Sequence, residues 1–265
     1  MNSRALLFAR LWIAANSMIG TDHFASLPRL PLEASSESVF SHERLFEDYG
    51  VLADKFRVGP NWHPDAPTHY AARYSDIAPS ITSAWGMWYA GTAFHSYAIR
   101  IGTFSGVSHA GMLQRRRSGE IRLLDVVEFH GGRNKNFEDE VGDNPGKYYV
   151  APINHAKFPE FDTRKAVDAA LALVGTPYGR LAVGFEALTH IVGFRELAYF
   201  IWLRKRKDVD AYFAKYPPYC SDAQKQWDVA GGCDPVPSRS PYLTTPADMF
   251  ESLLYSPIKV AIYPG

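Results

Sequence analysis

Cys220 stands in Tyr219-Cys220-Ser221-Asp222, directly after Pro217 and Pro218. Two prolines cannot sit in a helix interior, so the chain before Tyr219 is extended or turning. From Ser221 the pattern becomes helical: Ala223, Trp227 and Ala230 fall on one face, and Gly231-Gly232 supplies the stop. Cys220 is therefore expected at a helix N-terminus, where the helix dipole favours a thiolate over a thiol. A second group able to do chemistry is His109, in Ser108-His109-Ala110-Gly111-Met112. Val107, His109, Gly111 and Leu113 alternate with Ser108, Ala110 and Met112, as in a strand. Beyond the polar turn Arg115 to Glu120, a second strand from Ile121 to Phe129 carries two carboxylates, Asp125 and Glu128.

Thiol catalysis needs these three parts. A histidine takes the thiol proton and later protonates the leaving group, while a carboxylate holds the imidazole in the useful tautomer. Backbone N–H groups at a helix N-terminus stabilise the thiolate and a tetrahedral oxyanion. Strand alternation puts Asp125 and Glu128 on opposite faces, so only one of them should face His109, and the spacing leaves the choice open. On its own a free cysteine is more often a small buried hydrophobe, so the reading depends on all three parts together.

The elements that must position these residues are legible in outline. A helix is predicted over 163–174, capped by Thr163, with Ala166, Val167, Ala170, Leu171 and Val174 as its apolar stripe and Gly175 as its end. Gly175 to Tyr178 is a tight turn. Gly131-Gly132-Arg133 is read as the break after the second strand, followed by a polar stretch to Gly146 and a further strand from Lys147 to Ile153. Thr244 to Met249 reads as a short capped helix with proline in its first turn, and a last strand runs from Ile258 to Tyr263. The sum is an α+β domain, a small antiparallel sheet packed against the Cys220 helix and the 163–174 helix.

The chain of 265 residues is long enough for one large domain with an extension. Hydrophobic residues make up 46% and charged residues 21%, as in an ordinary globular protein. A formal net charge of zero argues against nucleic acid as a partner. Two cysteines, Cys220 and Cys233, are too few for a disulfide scaffold and fit reduced thiols. Neither has histidines at zinc spacing, and His63 and His69, set among prolines, read as loop residues rather than ligands.

Residues 1–90 read as an N-terminal extension, with helical periodicity between Ser41 and Phe56. The first 20 residues resemble a signal peptide, but Arg10 interrupts the apolar run and an amphipathic helix explains them equally, which favours a cytoplasmic over an exported protein. Residues 181–207 form an amphipathic helical insertion ending in Arg204-Lys205-Arg206-Lys207. No apolar run there is long enough to span a membrane. A core-packed insertion is the commoner use of such a pattern, and a lipid-facing lid with weak membrane-surface contact is the alternative.

Five short motifs occur in a telling order. They are Ser108-His109-Ala110-Gly111-Met112, Leu124-Asp125-Val126, Val174-Gly175-Thr176-Pro177-Tyr178, Tyr219-Cys220-Ser221-Asp222 and Thr245-Pro246-Ala247-Asp248. Together, over roughly residues 95–262, they resemble the circularly permuted papain-like cysteine hydrolases, the NlpC-type and YiiX-like proteins related to lecithin–retinol acyltransferase. The resemblance implies a permuted papain-like domain over 91–265, with Cys220 as nucleophile and His109 as base. It implies Asp125 as the third residue, where the family has glutamate, with Glu128 as its rival, and Tyr178 as a hydroxyl donor beside the nucleophile. It implies no cofactor. The substrate it implies is an amide or ester, whether peptide, peptidoglycan-like peptide or lipid acyl group, cleaved through a thioester. Two other readings stand beside it: an acyltransferase using the same Cys–His pair, and a binding module that has kept the fold without the chemistry. The sequence leaves the oligomeric state open.

Overall fold

A computed structural model describes residues 68–91, 96, 99, 106–144, 147–179, 211, 215–237, 242 and 244–263. The expected Ser41 to Phe56 helix and the 181–207 insertion lie outside these residues.

The described residues form a mixed α+β fold around one seven-stranded sheet. In chain order its strands are β1 (Thr68–Arg73), β2 (Trp85–Ala90), β3 (His109–Arg115), β4 (Ile121–Val127), β5 (Gly131–Asn136), β6 (Lys147–Ala151) and β7 (Ile258–Tyr263). In space they run β1-β7-β6-β2-β3-β4-β5. The β1–β7 pair is parallel and every other pair is antiparallel. The sheet is therefore larger than the sequence suggests, and it is mixed. Residues 68–90, assigned above to the extension, supply two of its strands. His69 lies on β1 in register with Lys259, in a strand rather than a loop.

Helices cover both faces. On one side lie α1 (Tyr74–Ile77) and α2 (Phe137–Asp143); Ile77, Phe137 and Val141 pack there with Met87, Leu113, Leu123, Tyr148 and Val150 from the sheet. On the other lie α3 (Thr163–Ala172), α4 (Cys220–Ala230) and α5 (Pro246–Phe250). From these, Ala166, Ala170, Ala223, Trp227 and Met249 meet Ala110, Met112, Leu124 and Val126. The alternation along β3 and β4 is what splits these sets between the faces. Burying a side chain the size of Leu124 stabilises the fold by about 2 kcal/mol, so either face lost would leave the sheet without support.

Three local readings are corrected. Asp162, not Thr163, caps α3, accepting from the Lys165 N–H. Ala230, expected on the buried stripe of α4, is exposed, and the helix buries Ser221, Asp222, Gln224, Lys225 and Asp228 instead. Gly131-Gly132-Arg133 does not break the sheet but begins β5, paired with β4, and the polar stretch after it contains α2. The two glycines are there for close approach: a Cβ on Gly132 would lie 1.9 Å from the Leu173 carbonyl oxygen. That approach lets Gly132 N–H donate to Thr176 O (2.8 Å) and Gly132 O accept from Gly175 N–H (2.7 Å), tying β5 to the turn that ends at Tyr178.

Candidate active site

The first turn of α4 is fixed from outside the helix. Tyr219, its N-cap, supplies no side-chain cap to the helix amides. Its hydroxyl instead donates to Thr244 O (3.0 Å), and the Ser221 hydroxyl donates to the same carbonyl (2.7 Å). Thr244 leads into α5, which is held by a capping box: Thr245 Oγ1 accepts from Asp248 N–H, and Asp248 accepts from Thr245 N–H. The Thr-Pro-Ala-Asp motif thus steadies the turn that presents Cys220. Cys220 is 4% exposed, reduced, and packed with Tyr219 and Tyr242, with Tyr178 and Tyr216 against them. Tyr178 arrives on the segment tied by Gly179 N–H to Pro218 O (3.1 Å). The sequence-predicted tyrosine and cysteine therefore share one apolar cluster.

His109 is the first residue of β3, in register with Tyr89. The preceding Ser108 anchors it: its N–H and hydroxyl donate to Tyr89 O, and its Oγ accepts from Gly91 N–H. His109 Nε2 meets Asp125 Oδ2 at 2.8 Å. Cys220 lies close enough for its charge to act on the same ring. With Nε2 engaged by the carboxylate, Nδ1 is the nitrogen left for the sulfur. Burial alone would lower the His109 pKa, but the Cys220 charge and the Asp125 carboxylate outweigh it and raise it to about 10.

Asp125 is the carboxylate that meets His109. β4 ends at Val127, and Glu128 falls in the turn that follows. Burial works to raise the Asp125 pKa, but hydrogen bonds and charge from His109 and Arg133 hold it below its ordinary value. Arg133, which sequence reading passed over, is in cross-strand register with Asp125. Its Nε donates to Oδ1 (2.7 Å) and its Nη2 to Oδ2 (2.9 Å). The same guanidinium donates to Glu140 on α2, Nη2 to Oε1 at 2.8 Å and Nη1 to Oε2 at 3.4 Å. A signal was present. Once the Gly-Gly pair is allowed inside a strand, counting back across the β4–β5 turn sets a cation opposite Asp125.

The arrangement is a cysteine at a helix N-terminus, an imidazole near it, and a clamped, ionised carboxylate behind the imidazole. It can move a proton between sulfur and ring and hold the resulting charges. Among the described residues there is no cluster of three or more His, Cys, Asp or Glu side chains placed to hold a metal ion, and no helix long and apolar enough to cross a membrane.

No protein-family profile matches the chain, and no curated protein matches it by sequence. Among solved structures it is similar to the metalloprotein yiiX from Escherichia coli O157:H7, at 14% identity and a TM-score of 0.44, over 69% of this chain and 97% of that one. A score of that size is a loose likeness of shape, and the chemistry has to be read from the residues themselves.

Proposed function

We propose that the protein is a cysteine hydrolase of the permuted papain-like kind, acting on an amide or ester through a thioester at Cys220. The observation that carries this reading is that one imidazole, His109, is hydrogen-bonded to a buried carboxylate and lies within reach of the Cys220 charge. A buried histidine that only filled space would need neither partner.

On this reading the reaction has two halves, acylation and deacylation of the sulfur. The Cys220 proton passes to His109 Nδ1, giving a thiolate and an imidazolium. Sγ attacks the substrate carbonyl carbon, and the oxyanion is received by N–H groups of the first turn of α4. His109 returns its proton to the leaving amine or alcohol as the C–N or C–O bond breaks. Water then attacks the thioester, His109 takes its proton, and the acid product leaves with Sγ again the thiolate. Asp125 accepts from Nε2–H throughout, fixing the tautomer and opposing the imidazolium charge. Tyr178, in the cluster with Cys220, is the further hydroxyl at hand. Peptides, peptidoglycan-like peptides and acyl esters are the substrate classes.

The test is iodoacetamide labelling of Cys220 against pH, in the wild type and in His109→Ala, followed by hydrolysis assays on cell-wall peptides and acyl esters. The reading expects labelling near neutral pH that depends on His109 and is lost in Cys220→Ala. Labelling of Cys220 that ignores His109 and matches Cys233 would remove the basis for it.

A further inference from the structure

The Asp125 carboxylate has a second neighbour that the mechanism above does not use. Its side chain is fully buried, and Arg133 takes both of its oxygens in a fork, leaving Oδ2 shared between the guanidinium and His109 Nε2. An arginine spent wholly on Asp125 would cancel the charge that the imidazole needs. Here the guanidinium is divided. Glu140, 8% exposed, holds Nη1 and Nη2 from the other side, with Lys135 Nζ 3.6 Å from its second oxygen. Glu140 is placed by α2, whose N-terminus is capped by Asn136 accepting from Glu138 and Asp139 N–H, so the carboxylate is built in rather than met by chance.

We propose that Arg133 and Glu140 are a positioning pair for the His109–Asp125 couple: Arg133 aims the carboxylate, and Glu140 draws off guanidinium charge so that Asp125 remains the anion facing His109. This rests on the proposed Cys–His chemistry. The groups around the imidazole and its carboxylate clamp are Cys220 from α4, Asp125 from β4, Arg133 and Lys135 from β5, Glu140 from α2, and Tyr89 and Tyr148 from β2 and β6. Burial and the Glu140 charge raise the pKa of both tyrosines. The charges acting directly on the ring are the sulfur and the Asp125 carboxylate, and Arg133, Glu140 and Lys135 act through that carboxylate.

The test is 15N-edited NMR of His109 in the full chain, followed from pH 5 to 11, for wild type, Glu140→Gln, Arg133→Lys and Cys220→Ala. Glu140→Gln keeps size and hydrogen-bonding reach but removes the charge. It should lower the His109 titration by about half a pH unit or more, a threefold loss of proton affinity. Arg133→Lys keeps the charge but loses the fork. It should broaden or abolish the low-field Nε2–H resonance held by Asp125. If both variants fold and neither the titration nor the resonance moves, the pair only holds the fold and the proposal is overturned, whatever the melting temperatures do. Cys220→Ala separates the two readings. Its failure to lower the His109 titration would sink the Cys–His couple while leaving the clamp to be judged by the other two variants.

Discussion

Asp125 Oδ2 lies 2.8 Å from His109 Nε2, and that contact decides which ring nitrogen remains for Cys220. The carboxylate can only accept, so the neutral imidazole carries its proton on Nε2 and offers the Nδ1 lone pair to the sulfur. Asp125→Asn replaces one acceptor oxygen with a donor NH2 and lets the ring adopt the wrong tautomer. Its kcat should fall by roughly 10²–10⁴-fold with the fold intact. Glu128→Gln, in the turn beyond β4, should leave kcat unchanged. Steady-state kinetics on the first substrate found checks both, and a larger loss in Glu128→Gln than in Asp125→Asn would reverse the choice of acid.

The protonated His109 also ties stability to pH. Its folded pKa, about 10, lies above the ordinary value of 6.5. Folding therefore gains from the imidazolium fully below about pH 6.5, and the gain is lost as pH rises through about 10. In Cys220→Ala the sulfur's charge is gone, so that loss should be smaller and complete at lower pH. Urea denaturation at pH 6, 8 and 10 gives the comparison; parallel curves for the two proteins would contradict it.

Asp222 has the opposite chemistry, two residues from the nucleophile. It is fully buried, with Gln226 donating to Oδ1 and no partner for Oδ2. Burial raises its pKa to about 7, beyond what Gln226 and the Lys225 charge offset. The folded state binds this proton more tightly than the unfolded state, so stability falls as pH rises from about 4 to beyond 7. Asp222→Asn removes the charged form and should raise stability at pH 8 by about 1–3 kcal/mol, and by less at pH 5. Thermal melts at the two pH values measure it. A variant less stable than wild type at pH 8 would mean that the ionised form is held by something stronger than Gln226.

Gly111 faces Asp125 across β3 and β4, and a Cβ there would lie 3.0 Å from both Asp125 Cβ and Leu124 O, and 3.1 Å from Met87 Cε. The contact with Leu124 is to backbone, which cannot swing aside. Gly111→Ala should cost about 1–3 kcal/mol of stability by overpacking, and it should cost activity by pushing the carboxylate off His109. Urea denaturation and the alkylation rate of Cys220 measure the two effects. An active Gly111→Ala would show that the strands can separate without disturbing the acid.

How much of this the residues announce depends on how local each signal is. Cys220, His109 and Asp125 sit in patterns that local rules read correctly: a Pro-Pro entry to a helix, an alternating strand, and a second strand across a polar turn. The capped Thr245–Asp248 helix and the last strand are equally local. Arg133 was hidden because Gly131-Gly132 lowers strand propensity, and only the distant 173–176 turn, packed against those glycines, explains them. β1 pairs with β7 across nearly the whole chain, in parallel, and no periodicity announces such a partner. β2 carries Trp85, Met87 and Trp88 buried on both faces, so it lacks the alternation that marks a half-exposed strand. The buried polar face of α4 is hidden for the same reason: Gln224 and Asp228 are answered by the Tyr255 hydroxyl, and Lys225 by Asp234 and Val236 O.

Tyr178 allows a separation of packing from chemistry. Its ring belongs to the cluster of Tyr219, Cys220 and Tyr242, and the segment that carries it is fastened by Gly179 to Pro218 just ahead of the nucleophile. Tyr178→Phe keeps the ring and removes only the hydroxyl, whereas Tyr178→Leu also removes the aromatic edge. If the hydroxyl donates to the oxyanion or steadies the sulfur, Tyr178→Phe should lower kcat by roughly tenfold or more, with KM and urea stability near wild type. If the residue only packs, Tyr178→Phe should match wild type in every measurement, and Tyr178→Leu alone should lose stability, by about 1–2 kcal/mol. Kinetics and denaturation on the same two proteins decide between them, because a hydroxyl acting in the transition state changes kcat without changing the unfolding curve.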